Sequence, residues 1–132
     1  MPFEFVIYRS PVSQQARRRE LVRQWTQEVR NAAAGLWRGQ PAVDGALAVS
    51  ITHLFDRAEL DVDNMPKPIL DALKGLVYSD DAAVTDLTCR KRNLKDDPQI
   101  SNASPILRQS LNRNAEFVHV LIDDAPLREV NF

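Results

Sequence analysis

Residues 61–84, DVDNMPKPILDALKGLVYSDDAAV, gather five aspartates, an asparagine and two lysines around one short apolar stripe. Asp61 and Asp63 are two apart, so in an extended segment their side chains leave the same face of the backbone. Pro66 and Pro68 mark a helix start, because proline costs little in a first turn whose N–H groups have no intrahelical partner. Ile69, Leu70, Ala72, Leu73, Leu76 and Val77 then recur at spacings of three and four, and Gly75 is a suitable stop. A helix from Pro68 to Lys74 would be about 10 Å long, and the six residues after it reach about 20 Å when extended. Asp80 and Asp81 are therefore expected to return to the helix start. That would bring Asp61, Asp63 and Asp81 within coordinating distance of one hard cation, beside Lys67.

Carboxylates so close repel one another unless a positive charge compensates. Hard oxygen donors, with the remaining positions left to water and phosphate, describe a Mg²⁺ site, or Mn²⁺ in its place, suited to phosphoryl chemistry. An EF-hand is excluded, since Met65 and Pro66 occupy positions where that loop needs Asp or Asn and glycine. A single cysteine and two distant histidines offer no ligand cluster for zinc. A plainer reading stands beside the metal site. Aspartates flanking a helix act as caps, Asp80-Asp81 suits a turn, and Lys67 lies four residues before Asp71, the spacing of a surface ion pair.

DVDNMPKPILDAL followed by YSDDAAV resembles the signature of the RusA family of Holliday-junction resolvases: a D-x-D-N-x-x-K segment, a helix ending in D-A-L, then D-D-x-x-V. Asp61, Asp63, Asn64, Lys67, Asp71, Ala72, Leu73, Asp80, Asp81 and Val84 stand where that pattern has them. The resemblance implies a Mg²⁺-dependent, homodimeric endonuclease of branched DNA. On that basis Asp61, Asp63 and Asp81 would bind metal, and Lys67 would be catalytic. The chain departs from the pattern at Glu59, where a more basic run is expected before the first aspartate.

Outward from this segment, 132 residues with 44% hydrophobic content make a single domain, residues 1–132, large enough to bury a core. Cys89 falls in a strand with no histidine nearby in sequence and is expected to be packed, not nucleophilic. No apolar run approaches the roughly 18 residues of a membrane span, so a cytoplasmic protein is expected. No Gly-rich phosphate loop is present, so no organic cofactor is expected.

The net charge of −1 hides an asymmetry. Seven basic residues between Arg9 and Arg38 face only Glu20 and Glu28, and four more lie between Arg90 and Lys95 with no acid among them. Arg17, Arg18, Arg19, Arg90, Lys91 and Arg92 are the candidate contacts to DNA phosphates, flanking an acidic centre.

Phe3 to Arg9 alternates as a first strand. Pro11 and Ser13 lead into a helix of about twenty residues with a stripe of Leu21, Val22, Trp25, Val29, Ala32, Ala33 and Leu36, and Arg19, Arg23 and Arg30 on one flank. Ala46 to Phe55 is a strand whose His53 reads better as a core histidine than as a general base. Val84 to Leu94 is a third strand, Asp96 to Pro105 a polar loop, Ile106 to Leu111 a short helix. Phe117 to Ile122, apolar on both faces, suits a central strand. The order β-α-β-α-β-(α)-β gives an α+β, or mixed α/β, domain with one mixed sheet of about four strands and helices packed on it. The rival functions are a nuclease for other branched or flapped nucleic acid, and a catalytically silent DNA-binding accessory.

Overall fold

A computed structural model of the protein describes residues 1–57, 60–130 and 132. Among these, the chain runs β1 (Phe3–Ile7), α1 (Arg19–Trp37), β2 (Leu47–Phe55), α2 (Pro66–Leu73), β3 (Val84–Asn93), α3 (Pro105–Asn112) and β4 (Phe117–Asp124). Short 3₁₀ turns at Val62–Asn64, Asp81–Ala83 and Leu94–Asp96 complete it. This is the expected order of elements. The strands form one mixed sheet in the order β1-β4-β2-β3. The strand that is apolar on both faces, β4, lies between β1 and β2, antiparallel to each. β2 and β3 are parallel, so the segment between them must cross from one end of the sheet to the other. That crossing is made by the aspartate-rich segment and α2.

Side chains alternate across the sheet. Phe5 of β1, Leu47, Val49 and Ile51 of β2 and Val118, Val120 and Ile122 of β4 meet α1 and α2 in one buried cluster. From α1 it receives Trp25, Val29, Ala33 and Trp37, and from α2 Ile69, Ala72 and Leu73. The two ends of the expected α1 stripe stay outside: Leu21 is 36% and Leu36 47% exposed, while Trp37 is buried in their stead. α1 also starts later than Pro11 and Ser13 suggest, leaving Arg17 and Arg18 ahead of the helix. On the other face of the sheet α3 docks through polar bonds, Tyr8 Oη with Ser110 Oγ at 3.0 Å and Ser104 Oγ donating to Glu4 at 2.8 Å. Ser104 caps α3 as well, accepting from the Leu107 amide. No helix among the described residues is long and apolar enough to cross a membrane.

Trp25 sits fully buried in the cluster whereas Leu36 faces solvent. Trp25→Ala should therefore lower unfolding free energy by about 3–5 kcal/mol, and Leu36→Ala by less than about 0.5 kcal/mol, as read from urea denaturation of the two variants.

Candidate active site

The turn that carries the first two aspartates is held by its backbone. Lys91 donates to the Leu60 carbonyl at 3.2 Å, Cys89 Sγ approaches the Val62 carbonyl at 3.5 Å, and the Gln14 amide donates to the Asn64 carbonyl at 2.9 Å. Three alternate carbonyls thus face the protein, while the side chains of Asp61 and Asp63 are exposed. Met65, fully buried against Cys89 with sulfurs 3.7 Å apart, anchors the end of the turn in the core. Asp61 and Asp63 were expected on one face of an extended segment. Instead Val62–Asn64 is a 3₁₀ turn closed by Asn64 N–H to Asp61 O at 3.1 Å, because the chain must bend here to bury Met65 and enter α2.

α2 begins at Pro66, as the proline pair requires, and buries Pro68, Ile69, Ala72 and Leu73. Its C-terminal carbonyls are satisfied from α1: Arg30 donates to Ala72 O at 3.2 Å and Lys74 O at 3.0 Å. The arginine flank of α1 therefore faces α2, with Arg30 as a cap and Arg19 and Arg23 lining a groove of about 460 Å³ with Asp71 and Gln14. After α2 the chain reverses at Gly75, whose φ of +80° needs a residue without Cβ, and the Gly75 amide donates to Tyr78 O at 2.7 Å. Tyr78 is fully buried and donates its hydroxyl to Leu70 O at 2.7 Å, clasping the outgoing chain to α2.

The clasp sets the charges. Burial pushes the Tyr78 phenol up to about 12, and the carboxylates of Asp81 and Asp71 push in the same direction. Lys67 is raised above its ordinary value, first by its hydrogen bond to Asp71 and then by the charge of that carboxylate, against a smaller opposing effect of burial; Asp81 adds to the rise. The charge of Asp81 is thus felt at both Lys67 and Tyr78, but its contact is at the end of α2 and not at the helix start where it was expected. Its direct partner is one that sequence did not indicate, Lys74 at 3.3 Å. Lys67 pairs with Asp71 at 2.7 Å, the ion pair foreseen from their spacing. Asp61 and Asp63 have no ion pair among the described residues.

No three His, Cys, Asp or Glu side chains among the described residues stand together as a metal cage. The convergence of Asp61, Asp63 and Asp81 into one group is therefore not realised. Asp81 is turned toward Lys74, and Asp63 lies in a 3₁₀ turn preceded by Asp61 and not in an extended segment. The donor chemistry nonetheless fits a hard divalent ion, which takes one or two carboxylates and fills its shell with water and phosphate. Asp61 and Asp63, exposed and unneutralised, are such donors.

The remaining candidates separate. Arg17, Arg18 and Arg19 are exposed at the start of α1, next to the loop whose Gln14 amide holds the aspartate turn. The β3 run divides by alternation: Lys91 anchors Leu60 on the helix side, whereas Arg90 and Arg92 line a cleft on the opposite face. Asp80 is exposed and precedes the Asp81–Ala83 turn without capping it. His53 is fully buried, its Nε2 2.5 Å from Glu116, which supports its reading as a core residue. Cys89 is packed, and burial raises its thiol pKa, so it is a poor nucleophile. Glu59 lies outside the described residues. Sequence reasoning passed over Tyr78, whose only signal was its place at the end of the α2 apolar stripe.

The profile of the family described as Endodeoxyribonuclease RusA matches residues 8–101, well over half of the chain. No curated protein matches it.

Because folding raises the Tyr78 pKa from 10.0 to about 12, its contribution to stability is full below pH 10 and is lost as pH rises toward 12. Across that window wild-type protein should lose about 2–3 kcal/mol more than Tyr78→Phe. At neutral pH the variant should be less stable by about 1 kcal/mol. Urea unfolding of both proteins at a series of pH values measures this difference, and parallel pH curves would remove Tyr78 as the clasp.

Proposed function

This chain belongs to the RusA family of Holliday-junction resolvases, which are endodeoxyribonucleases, and from that premise we propose that it is a Mg²⁺-dependent enzyme hydrolysing phosphodiesters of four-way DNA in recombination and repair. The observation that carries the reading is the contact of Asp81 with Lys74 at 3.3 Å across the reversal after α2. It keeps Asp81 at the helix that follows Asp61 and Asp63.

Asp61, Asp63 and Asp81 are the residues that would hold the metal. When bound, a divalent ion lowers the pKa of a water and stabilises charge on the scissile phosphate. Lys67, raised in pKa and so cationic at neutral pH, does not accept the proton of that water. It neutralises charge developing on the phosphate oxygens, for which a compact ammonium suffices. Its partner Asp71 keeps it at the first turn of α2 in the absence of substrate. The exposed Arg17, Arg18 and Arg19 border the aspartate turn and are placed to bind the DNA backbone, with Arg23 in the adjoining groove. Paired cutting of a four-way junction calls for two sites related by a two-fold axis, so the working form is a homodimer.

Purified protein and a labelled synthetic four-way junction, with Mg²⁺ or with EDTA, read on a denaturing gel, test the proposal. Paired nicks should appear only with Mg²⁺. Binding without nicks would favour a catalytically silent accessory, and faster cutting of a flapped duplex would favour the broader branched-DNA nuclease. Asp63→Asn should abolish cleavage and keep junction binding. Lys67→Met should slow cleavage by roughly 10²-fold or more, the loss expected when one preorganised contact to the transition state is removed. Wild-type rates in a folded Lys67→Met protein would assign Lys67 to its ion pair with Asp71 alone. With about six phosphates neutralised, log affinity for the junction should fall with log salt at a slope near −5.

A further inference from the structure

On the face of the sheet away from the aspartates, a cleft of about 500 Å³ is floored by β2, β3 and β4 and roofed by the loop at residues 98–102. Its chemistry follows from strand register. Ser50 lies opposite Thr88, Thr52 opposite Arg90 and Leu54 opposite Arg92, so alternation sends two hydroxyls and two guanidiniums to the same face. Arg90 donates from Nη1 to Ser50 Oγ at 3.0 Å and Thr52 Oγ1 at 2.9 Å. Those bonds fix the guanidinium against the floor and use one of its nitrogens, leaving its other N–H groups to a ligand. Among the described residues Arg92 donates only to the carbonyl of Lys91, at 2.8 Å. Neither arginine has a carboxylate partner among the described residues. The nearby carboxylate of Glu4 is engaged by His119 Nε2 at 2.7 Å and by Ser104 at 2.8 Å.

We propose that this cleft binds one nucleotide through its phosphate, held by Arg90 and Arg92. Two guanidiniums without a carboxylate partner among the described residues, one of them fixed against the floor, suit the bidentate geometry of a phosphate. Ser50 and Thr52 accept from Arg90, so each keeps its own O–H to donate to a phosphate oxygen. Leu107 and Leu121 give the cleft an apolar wall for a base, and Gln99 and Asn102 of the roof can pair with a base edge. A volume of about 500 Å³ falls within the range of small-ligand sites and admits one nucleotide, not a duplex. The same phosphate chemistry is offered by a free mononucleotide and by an unpaired nucleotide of a DNA strand. The site is separate from the aspartates and stands independently of their role.

Backbone-amide NMR of the full chain tests this, titrated with adenosine 5′-monophosphate, with adenosine, and with a short single-stranded oligonucleotide. We expect saturable shifts at residues 99–102 and His119 with the monophosphate at a Kd of about 1 mM or tighter, and at least tenfold weaker binding of adenosine. Arg90→Gln, which keeps a donor for Ser50 and Thr52, and the exposed Arg92→Ala should each weaken the monophosphate at least fivefold. Asp63→Asn, remote from the cleft, should leave it unchanged. Oligonucleotide binding tenfold tighter than the monophosphate would identify a DNA strand as the source, and equal binding a free nucleotide. Absence of saturable shifts in the cleft with both phosphate ligands, or undiminished binding by folded Arg92→Ala, would overturn the proposal.

Discussion

The backbone at residues 60–65 has to satisfy its polar groups while turning a corner between a strand and a helix, and the arrangement of the candidate site follows from how it does so. A Lys91 ammonium, a Cys89 thiol and a Gln14 amide each take one of three alternate carbonyls. Unpaired carbonyls at this depth would cost about 1–3 kcal/mol each. Once those carbonyls face inward, Asp61 and Asp63 are left at the surface. Their placement is thus a result of backbone accounting and buried Met65, not of attraction among the acids themselves.

The second half of the site depends on packing. Tyr78 can reach Leu70 only because Gly75 reverses the chain, and Arg30 of α1 covers the carbonyls left open at the end of α2. Helix, reversal and clasp form one unit, at whose edge two ammonium groups neutralise two carboxylates: Lys67 with Asp71, Lys74 with Asp81. These are exposed pairs, and exposed pairs exchange partners at little cost. Arrival of a phosphate would compete for the lysines, and release of Asp81 from Lys74 would free a further oxygen donor for a cation.

Much of this was legible in the sequence, for identifiable reasons. Periods of two and 3.6 placed each strand and helix, and the double-sided apolar run of β4 correctly announced a central strand. Prolines and a glycine located α2 and its end. What was not legible depended on partners far along the chain. The bend at Val62–Asn64 comes from contacts to β3 and to Gln14, so an extended reading of D-x-D put both aspartates on one face. Leu36 and Trp37 are adjacent, and periodicity could not say which would meet Phe3. Arg90, Lys91 and Arg92 formed one basic run on paper, yet a strand sends neighbours to opposite faces. His119 and Glu4 are separated by nearly the whole chain and are brought together by the β1–β4 pairing.

The parallel pairing of β2 with β3 gives the site a place in the folding order. β3 joins β2 once the intervening crossing has closed, whereas β4 joins β2 and β1 only by closing longer loops, at a greater entropic cost. The aspartate turn, α2 and the Tyr78 reversal all lie on that crossing. The residues assigned to chemistry are therefore assembled with the most local of the three strand pairings, since β4 meets β2 and β1 across much longer stretches of chain. β3 is also an edge strand with an exposed Leu87, held to the sheet from one side only. Partial opening would detach this edge strand before the antiparallel β1-β4-β2 part of the sheet, and with it the anchors supplied by Cys89 and Lys91. Hydrogen exchange would then register the loss of the site as a sub-global event, well below the free energy that unfolds the core.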